Sequence, residues 1–174
     1  MALTIKQLNS LRAYIEANYH PALENEEVIV EKCYGLSTKE PVDLGVGSRE
    51  RNISERLKSV DEETWQEALL NLIDERMMTD SLVYNASNVS RQVFHKIRCD
   101  RYYKPTRNTA IRLCFGLSLT LDEALKLLSK AGYYLSESNK RDVVIRWFLE
   151  DEIYDVYELD EILYDNKYEL IMNY

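Results

Sequence analysis

Five polar side chains in one short segment carry hydrogen-bonding groups that can recognise the edges of nucleic acid bases: Ser90, Arg91, Gln92, His95 and Lys96. Arginine and glutamine can each make a pair of hydrogen bonds to one base in the major groove. Val89, Phe94 and Ile97 recur at the spacing of one helix face. We therefore expect the polar side chains to point away from the core, as candidate base contacts. A solvated polar helix face is the alternative interpretation.

The loop after this segment supplies candidate contacts to a phosphate backbone: Arg101, Lys104, Thr106 and Arg107. Lysine and arginine neutralise phosphates, and the unpaired N–H groups at a helix start attract anions. Tyr102 and Tyr103 lie within the same loop. They could pack along a nucleic acid backbone, and packing in the protein core is an equally good interpretation.

Short helices must position these side chains. The pattern predicts a helix over 81–86, a turn in which Asn88 tolerates the left-handed conformation, and a second helix capped by Ser90. Pro105 disfavours helix just before it, so Thr106 is expected to start the next helix. Thr120 is then the predicted cap of a further helix that Gly132 ends.

Amphipathic patterns predict three more helices before this segment. One covers residues 4–19, with one apolar face made by Ile5, Leu8, Leu11, Tyr14 and Ile15. A short helix over 49–60 leads into a helix over 65–77, for which Asp61 is a candidate cap, and residues 20–48 form a linker.

The C-terminal region is also predicted to be helical and folded. Ser136 or Ser138 would cap a helix whose inner face is formed by Val143, Val144, Trp147 and Phe148. Asp155 would start a last helix, with its apolar residues inward and its acids outward: Val156, Leu159, Ile162 and Leu163 against Glu158, Asp160 and Glu161.

Residues 62–132 resemble the lambda-repressor-like helix-turn-helix family of the xenobiotic-response-element type, the fold of many small bacterial and phage regulators. Residues 89–97 resemble its turn and recognition helix, 104–106 its next loop, and 117–123 the link into its fifth helix. The resemblance implies a sequence-specific DNA-binding protein, a transcriptional regulator of double-stranded DNA that commonly acts as a homodimer. The apolar face of residues 4–19 or the C-terminal helices could form the dimer contact.

The predicted fold class is therefore all-α, with three regions. Residues 1–60 hold an N-terminal helix and linker, residues 61–135 the helix-turn-helix core, and residues 136–174 an acidic helical extension packed on that core.

Charge is distributed unevenly along the chain, whose net charge is -8. Residues 86–141 carry eleven Lys and Arg against four Asp and Glu, whereas residues 142–174 carry two against ten. The basic region coincides with the candidate contacts and favours nucleic acid. The acidic tail could cover this basic region in its own chain or in a partner subunit, or dock on a basic partner protein. A solvated amphipathic helix is the simpler interpretation.

A second function from another class also fits. The overall acidity, together with Asp80 and Tyr84 at positions where the family has other residues, favours a non-enzymatic adaptor that uses the same fold to hold a protein, in a bacterial stress or defence system. RNA binding is not excluded by charge. The two histidines, His20 and His95, are far apart in sequence and the paired acids lack a nearby nucleophile, so we expect no enzyme, metal or cofactor.

The three cysteines, Cys33, Cys99 and Cys114, have no metal-binding or redox spacing. We expect unpaired thiols in a reducing compartment. The N-terminal residues lack a long apolar run, which argues against a signal peptide and a membrane span. The expectation is a cytoplasmic protein.

Overall fold

All regular structure in the described part of the chain is α-helical, which confirms the predicted fold class. The structure, a computed structural model, describes residues 3–21 and 63–172. These residues form eight helices: α1 (Ile5–Asn18), α2 (Trp65–Glu75), α3 (Asp80–Ala86), α4 (Arg91–Cys99), α5 (Arg107–Gly116), α6 (Leu121–Lys130), α7 (Lys140–Glu150) and α8 (Val156–Asp165). The predicted helix over 49–60 lies outside the described residues, and so does almost all of the predicted linker.

Every one of these helices begins with a side chain whose oxygen accepts a backbone hydrogen bond. The caps predicted from the sequence are confirmed at four helices: Ser90 for α4, Thr106 for α5, Thr120 for α6 and Asp155 for α8. Short polar side chains before an apolar periodic run are strong start signals because they satisfy N–H groups that the helix leaves unpaired.

Two predicted caps were wrong. Helix α2 is capped by Thr64 rather than by Asp61, because Thr64 and Glu67 exchange hydrogen bonds in a capping box, with Glu67 Oε2 2.9 Å from the Thr64 N–H nitrogen. Helix α7 is capped by Asn139, whose Oδ1 accepts from the backbone of Arg141 at 3.0 Å. Ser136 instead accepts a hydrogen bond inside the preceding turn.

Residues 3–21 and 64–172 belong to one compact unit, and their buried apolar side chains form one core. Helix α7 lies at its centre, with α1, α6 and α8 packed around it. The predicted inner face of α7 is confirmed. Ile145 and Leu149 are buried as well, because neighbouring helices cover more than one side of α7. A sequence pattern shows one apolar stripe and cannot show how many partners a helix has.

Helix α1 packs against α7 of its own chain, so its apolar face is used inside the unit. Leu11 is buried, while Tyr14 and Ile15 are half-buried against the core. Ile5, in the first turn of α1, was predicted to share this face, yet it is 79% exposed. The suggestion that this face joins two subunits therefore loses its main support.

The last described residues are bound to α8 through an acid that was expected to face solvent. Asp160 is buried and accepts hydrogen bonds from the backbone nitrogens of Ile171 at 2.7 Å and Met172 at 2.9 Å. The chain reverses after α8 at Lys167, where φ is 59°. This reversal brings two N–H groups to the Asp160 carboxylate, which stabilises its burial.

Candidate functional site

A tight turn joins α3 to α4 and sets the direction of α4. Asn88 adopts the left-handed conformation with φ of 49°, as predicted. The preceding residue, Ser87, is fully buried against Gly116 at the end of α5. A Cβ atom at position 116 would lie 2.6 Å from the backbone nitrogen of Ser87. The turn therefore fits only because position 116 has no side chain, a requirement that was not predicted from the sequence.

Helix α4 has one buried and one exposed face. Phe94 and Ile97 are buried in the core, and the Tyr84 ring of α3 lies 6.0 Å from the ring of Phe94. The five candidate base contacts fall together on the exposed side: Ser90, Arg91, Gln92, His95 and Lys96. The Ser90 hydroxyl already takes part in one hydrogen bond inside the protein, because its Oγ accepts the cap hydrogen bond from the Val93 N–H at 3.3 Å.

Arg98, on the same helix, was not among the predicted contacts. Its Nε donates to Asp80 at 3.0 Å to Oδ2 and 3.2 Å to Oδ1, so the end of α4 is tied to the start of α3. The hydrogen bond with Asp80 raises the pKa of Arg98. From the sequence, Asp80 favours an adaptor, but the negative charge of Asp80 is offset by Arg98. The two residues are 18 positions apart in the chain, so no local sequence pattern predicts that they pair.

The predicted phosphate-contacting residues are in four different situations. Lys104 is exposed. Arg101 is exposed but forms an ion pair with Glu67 at 2.8 Å, and its guanidinium lies 5.7 Å from the centre of the Tyr102 ring. Thr106 caps α5, with its Oγ1 accepting from the Thr109 N–H at 3.3 Å.

The two tyrosines of the same loop differ in their surroundings: Tyr102 is 77% exposed, whereas Tyr103 packs on the core.

Arg107, the last of the four predicted phosphate contacts, forms its hydrogen bonds inside the protein. Its Nη2 donates to Asp142 Oδ2 at 2.7 Å and to the carbonyl oxygen of Tyr134 at 3.0 Å. Asp142 is buried, and Oδ2 also accepts from the backbone of Ser136 at 3.0 Å. Arg107 thus connects α5 to α7, and its guanidinium is not available to a phosphate without leaving a buried carboxylate unpaired.

Much of the basic charge predicted for this region is therefore used internally. Arg112 is half-buried and donates to the carbonyl oxygen of Asn88 at 3.0 Å, and burial lowers its pKa. Of the cations between positions 91 and 112, only Arg91, Lys96 and Lys104 are exposed without an ion pair among the described residues. The surface charge is lower than the sequence count suggested.

The acidic C-terminal region touches the turn before α4 rather than the exposed face of α4. Asn88 Nδ2 lies 3.4 Å from the Tyr157 hydroxyl and 3.0 Å from the Met172 sulfur. Helix α8 and the residues after it therefore support the turn. The acidic residues that the structure describes up to position 172 do not cover the basic face, since the outward side chains of α4 are exposed.

Comparison of the chain with protein-family models, with curated proteins and with solved structures gives no match. Among the residues that the structure describes, no helix has the length and apolar character needed to span a membrane. Three metal-ligating side chains do not come together anywhere in those same residues.

Proposed function

We propose that this protein binds double-stranded DNA sequence-specifically as a transcriptional regulator, with α3 and α4 as a helix-turn-helix and α4 as its recognition helix. The observation that carries the proposal is the exposed polar face of α4, held in place by Phe94 and Ile97 on its buried side. A helix supported in this way can enter the major groove with its first turns against the bases.

The order of the side chains along α4 fits this role. Arg91 and Gln92 occupy the first turn and His95 and Lys96 the second, so they would meet successive base pairs. Lys104 lies in the loop after α4 and is exposed. There it would contact a phosphate of the DNA backbone. Phosphate contacts fix the position of a protein on the duplex without reading its sequence.

The first experiment selects bound sequences from a pool of random duplex DNA and then measures affinity across a salt series. Arg91→Ala should weaken binding to the selected site by about 1–3 kcal/mol and relax the preference at one position, because an arginine pair to guanine is lost. Lys96→Ala should weaken binding by a similar amount if it contacts a base.

Two matched variants control for the loss of charge. Arg12→Ala removes an exposed arginine from α1, and Lys126→Ala removes an exposed lysine from α6. Both should leave the selected sequence unchanged and alter affinity little. Recovery of no preferred sequence by the wild-type protein at any salt concentration would refute the regulator proposal.

A second candidate function, protein binding by an adaptor, is favoured by the exposed side of α8. Tyr157 and Tyr164 are 62% and 71% exposed, and Glu161 lies between them at helical spacing. Exposed tyrosines are enriched at protein interfaces. If the adaptor reading is right, Tyr164→Ser should abolish capture of a defined partner while Arg91→Ala leaves it intact, and the wild type should show no specific DNA binding.

A further inference from the structure

A groove of about 510 Å³ separates α3 from α4 on the exposed side of the pair. Cationic or titratable side chains of α4 and polar side chains of α3 line it: Arg91, His95, Arg98, Asp80, Ser81 and Tyr84. Asp80 is the one acid of this lining, and its carboxylate is held by Arg98. The groove therefore contains side chains that can bind an anion, and one of them, Arg98, is already bound to the carboxylate of Asp80.

We propose that Arg98 is a phosphate-binding residue of the DNA interface and that Asp80 competes with the phosphate for it. This inference rests on the proposed function, since the phosphate belongs to the DNA that α4 would read. On binding, the guanidinium would exchange one carboxylate for a phosphate oxygen pair. Both anions match the planar fork of arginine, so the exchange keeps the number of charge-assisted hydrogen bonds.

The exposure of the pair makes this exchange feasible. The Arg98 and Asp80 side chains are 36% and 44% exposed, so both are reachable from solvent. Exposed ion pairs are weak, because water and salt screen the two charges. A phosphate presented by a duplex that α4 already contacts therefore has to overcome only a weak bond. Asp74 on α2 also acts on Arg98 through its charge, but the groove lining does not include it.

Arg107 provides the contrast that makes Arg98 the better candidate. Its carboxylate partner, Asp142, has only 4% of its side chain exposed, compared with 44% for Asp80. Removing Arg107 from Asp142 would leave a buried charge without its cation. Removing Arg98 from Asp80 leaves a carboxylate that water can solvate. Only the second arginine can change partners without disrupting the fold.

Asp80→Asn should convert Arg98 from half of a neutral pair into an uncompensated cation. If Arg98 then neutralises one more phosphate, the slope of log affinity against log salt becomes more negative by about 0.9. The variant would accordingly lose about 3.5-fold more affinity than the wild type between 50 and 200 mM salt. Its affinity at low salt should exceed that of the wild type.

The test is a double-mutant cycle of wild type, Asp80→Asn, Arg98→Ala and the double variant, on the DNA site selected with the wild-type protein. The gain from Asp80→Asn should disappear in the Arg98→Ala background, because the released arginine causes it. A gain of equal size in both backgrounds would show a general effect of removing an acid and would overturn the inference. Asp122→Asn, at an exposed acid in the first turn of α6, gives the size of that general effect.

A measurement on the wild-type protein complements the cycle and does not depend on how the variants fold. The Arg98 Nε–H resonance, observed by NMR, should shift on addition of the selected duplex and remain unchanged with a duplex that is not bound. An unshifted resonance in the bound state would also overturn the inference. If the wild type binds no DNA, the proposed function itself fails; if it binds and the cycle shows no coupling, only the role of Arg98 fails.

Discussion

The outward face of α4 and the contact between α5 and α7 use the same residue type for opposite purposes. On α4, Arg91 is exposed at the start of the helix. In the α5–α7 contact, Arg107 binds a buried carboxylate, and Arg141 is itself buried and donates through Nη2 to Asn108 Oδ1 at 2.8 Å. Cations counted along a sequence are therefore not equivalent. Some belong to a surface and others cross-link helices.

The acids of the C-terminal region divide in the same way. Asp142 and Asp160 are buried and hydrogen-bonded, whereas Glu161 is exposed on α8. Deleting the last helix would remove Leu159 and Leu163 from the core together with its charges. Such a truncation could not report on electrostatic inhibition alone. Substitutions at exposed acids are needed to change the charge without changing the packing.

Arg107→Ala and Lys104→Ala should separate the two uses of basic charge most strongly. Arg107→Ala should lower the free energy of unfolding by about 3 kcal/mol, because it leaves the Asp142 carboxylate buried without its cation. Lys104→Ala should leave stability unchanged and make the salt slope of DNA binding less negative by about 0.9. Urea unfolding and salt-dependent binding measure the two effects.

Similar behaviour of the two variants would contradict the distinction between interior and surface arginine and lysine residues. Unchanged stability of Arg107→Ala would mean that the Asp142 contact contributes nothing. A loss of DNA affinity by folded Arg107→Ala, equal to that of Lys104→Ala, would restore Arg107 as a phosphate contact. The sequence alone treats both residues as one group, so this pair of variants tests what the structure adds.

Local signals predicted most of the helices, and long-range contacts account for most of the errors. Ser90, Thr106 and Thr120 were found as caps because a cap needs only its own helix. Asp160 was misplaced because its partners, the N–H groups of Ile171 and Met172, come from a chain reversal that periodicity does not encode.

The candidate site shows the same limit. The exposed face of α4 follows from helical spacing and was predicted correctly as an exposed face. The partners of Asp80 and Arg107 lie 18 and 35 residues away in the chain, and no local pattern reports such a pair. Whether the face contacts DNA stays a prediction, because it concerns a partner rather than the fold.

A glycine substitution tests how strictly the interior sets the direction of α4. Gly116→Ala should lower the free energy of unfolding by about 2 kcal/mol, because the new methyl group would overlap the backbone of Ser87. Gly132→Ala is the matched control: its φ is 78° but no atom lies within 4 Å of the added Cβ. It should cost about 1 kcal/mol through the left-handed conformation alone.

Thermal or urea unfolding would rank these two variants, and DNA binding would show whether the turn has moved. Folded Gly116→Ala should bind the selected site more weakly than Gly132→Ala does, because only position 116 touches the turn before α4. Equal binding by both variants would mean that the contact sets stability without setting the orientation of α4.

Cysteine ionisation gives the smallest and most specific test of the contrast between exposed and interior positions. Cys99 is exposed on α4, whereas burial in α5 raises the pKa of Cys114 from 9.0 to about 12. The unfolded chain releases this proton near pH 9, but the folded chain retains it, so stability is complete below pH 9 and falls as the pH rises towards 12. The free energy of unfolding should be about 1.4 kcal/mol lower at pH 10 than well below pH 9 through this group.

Urea unfolding between pH 7 and pH 10, under reducing conditions, measures this loss. Cys114→Ala should remove about 1.4 kcal/mol of the pH-dependent decrease, whatever its effect on stability at neutral pH. Cys99→Ala, at an exposed position of α4, is the control: it leaves Cys114 in place, so the decrease caused by Cys114 should remain. An identical pH dependence in the wild type and Cys114→Ala would contradict the burial of this thiol and, with it, the close packing of α5 behind the α3–α4 turn.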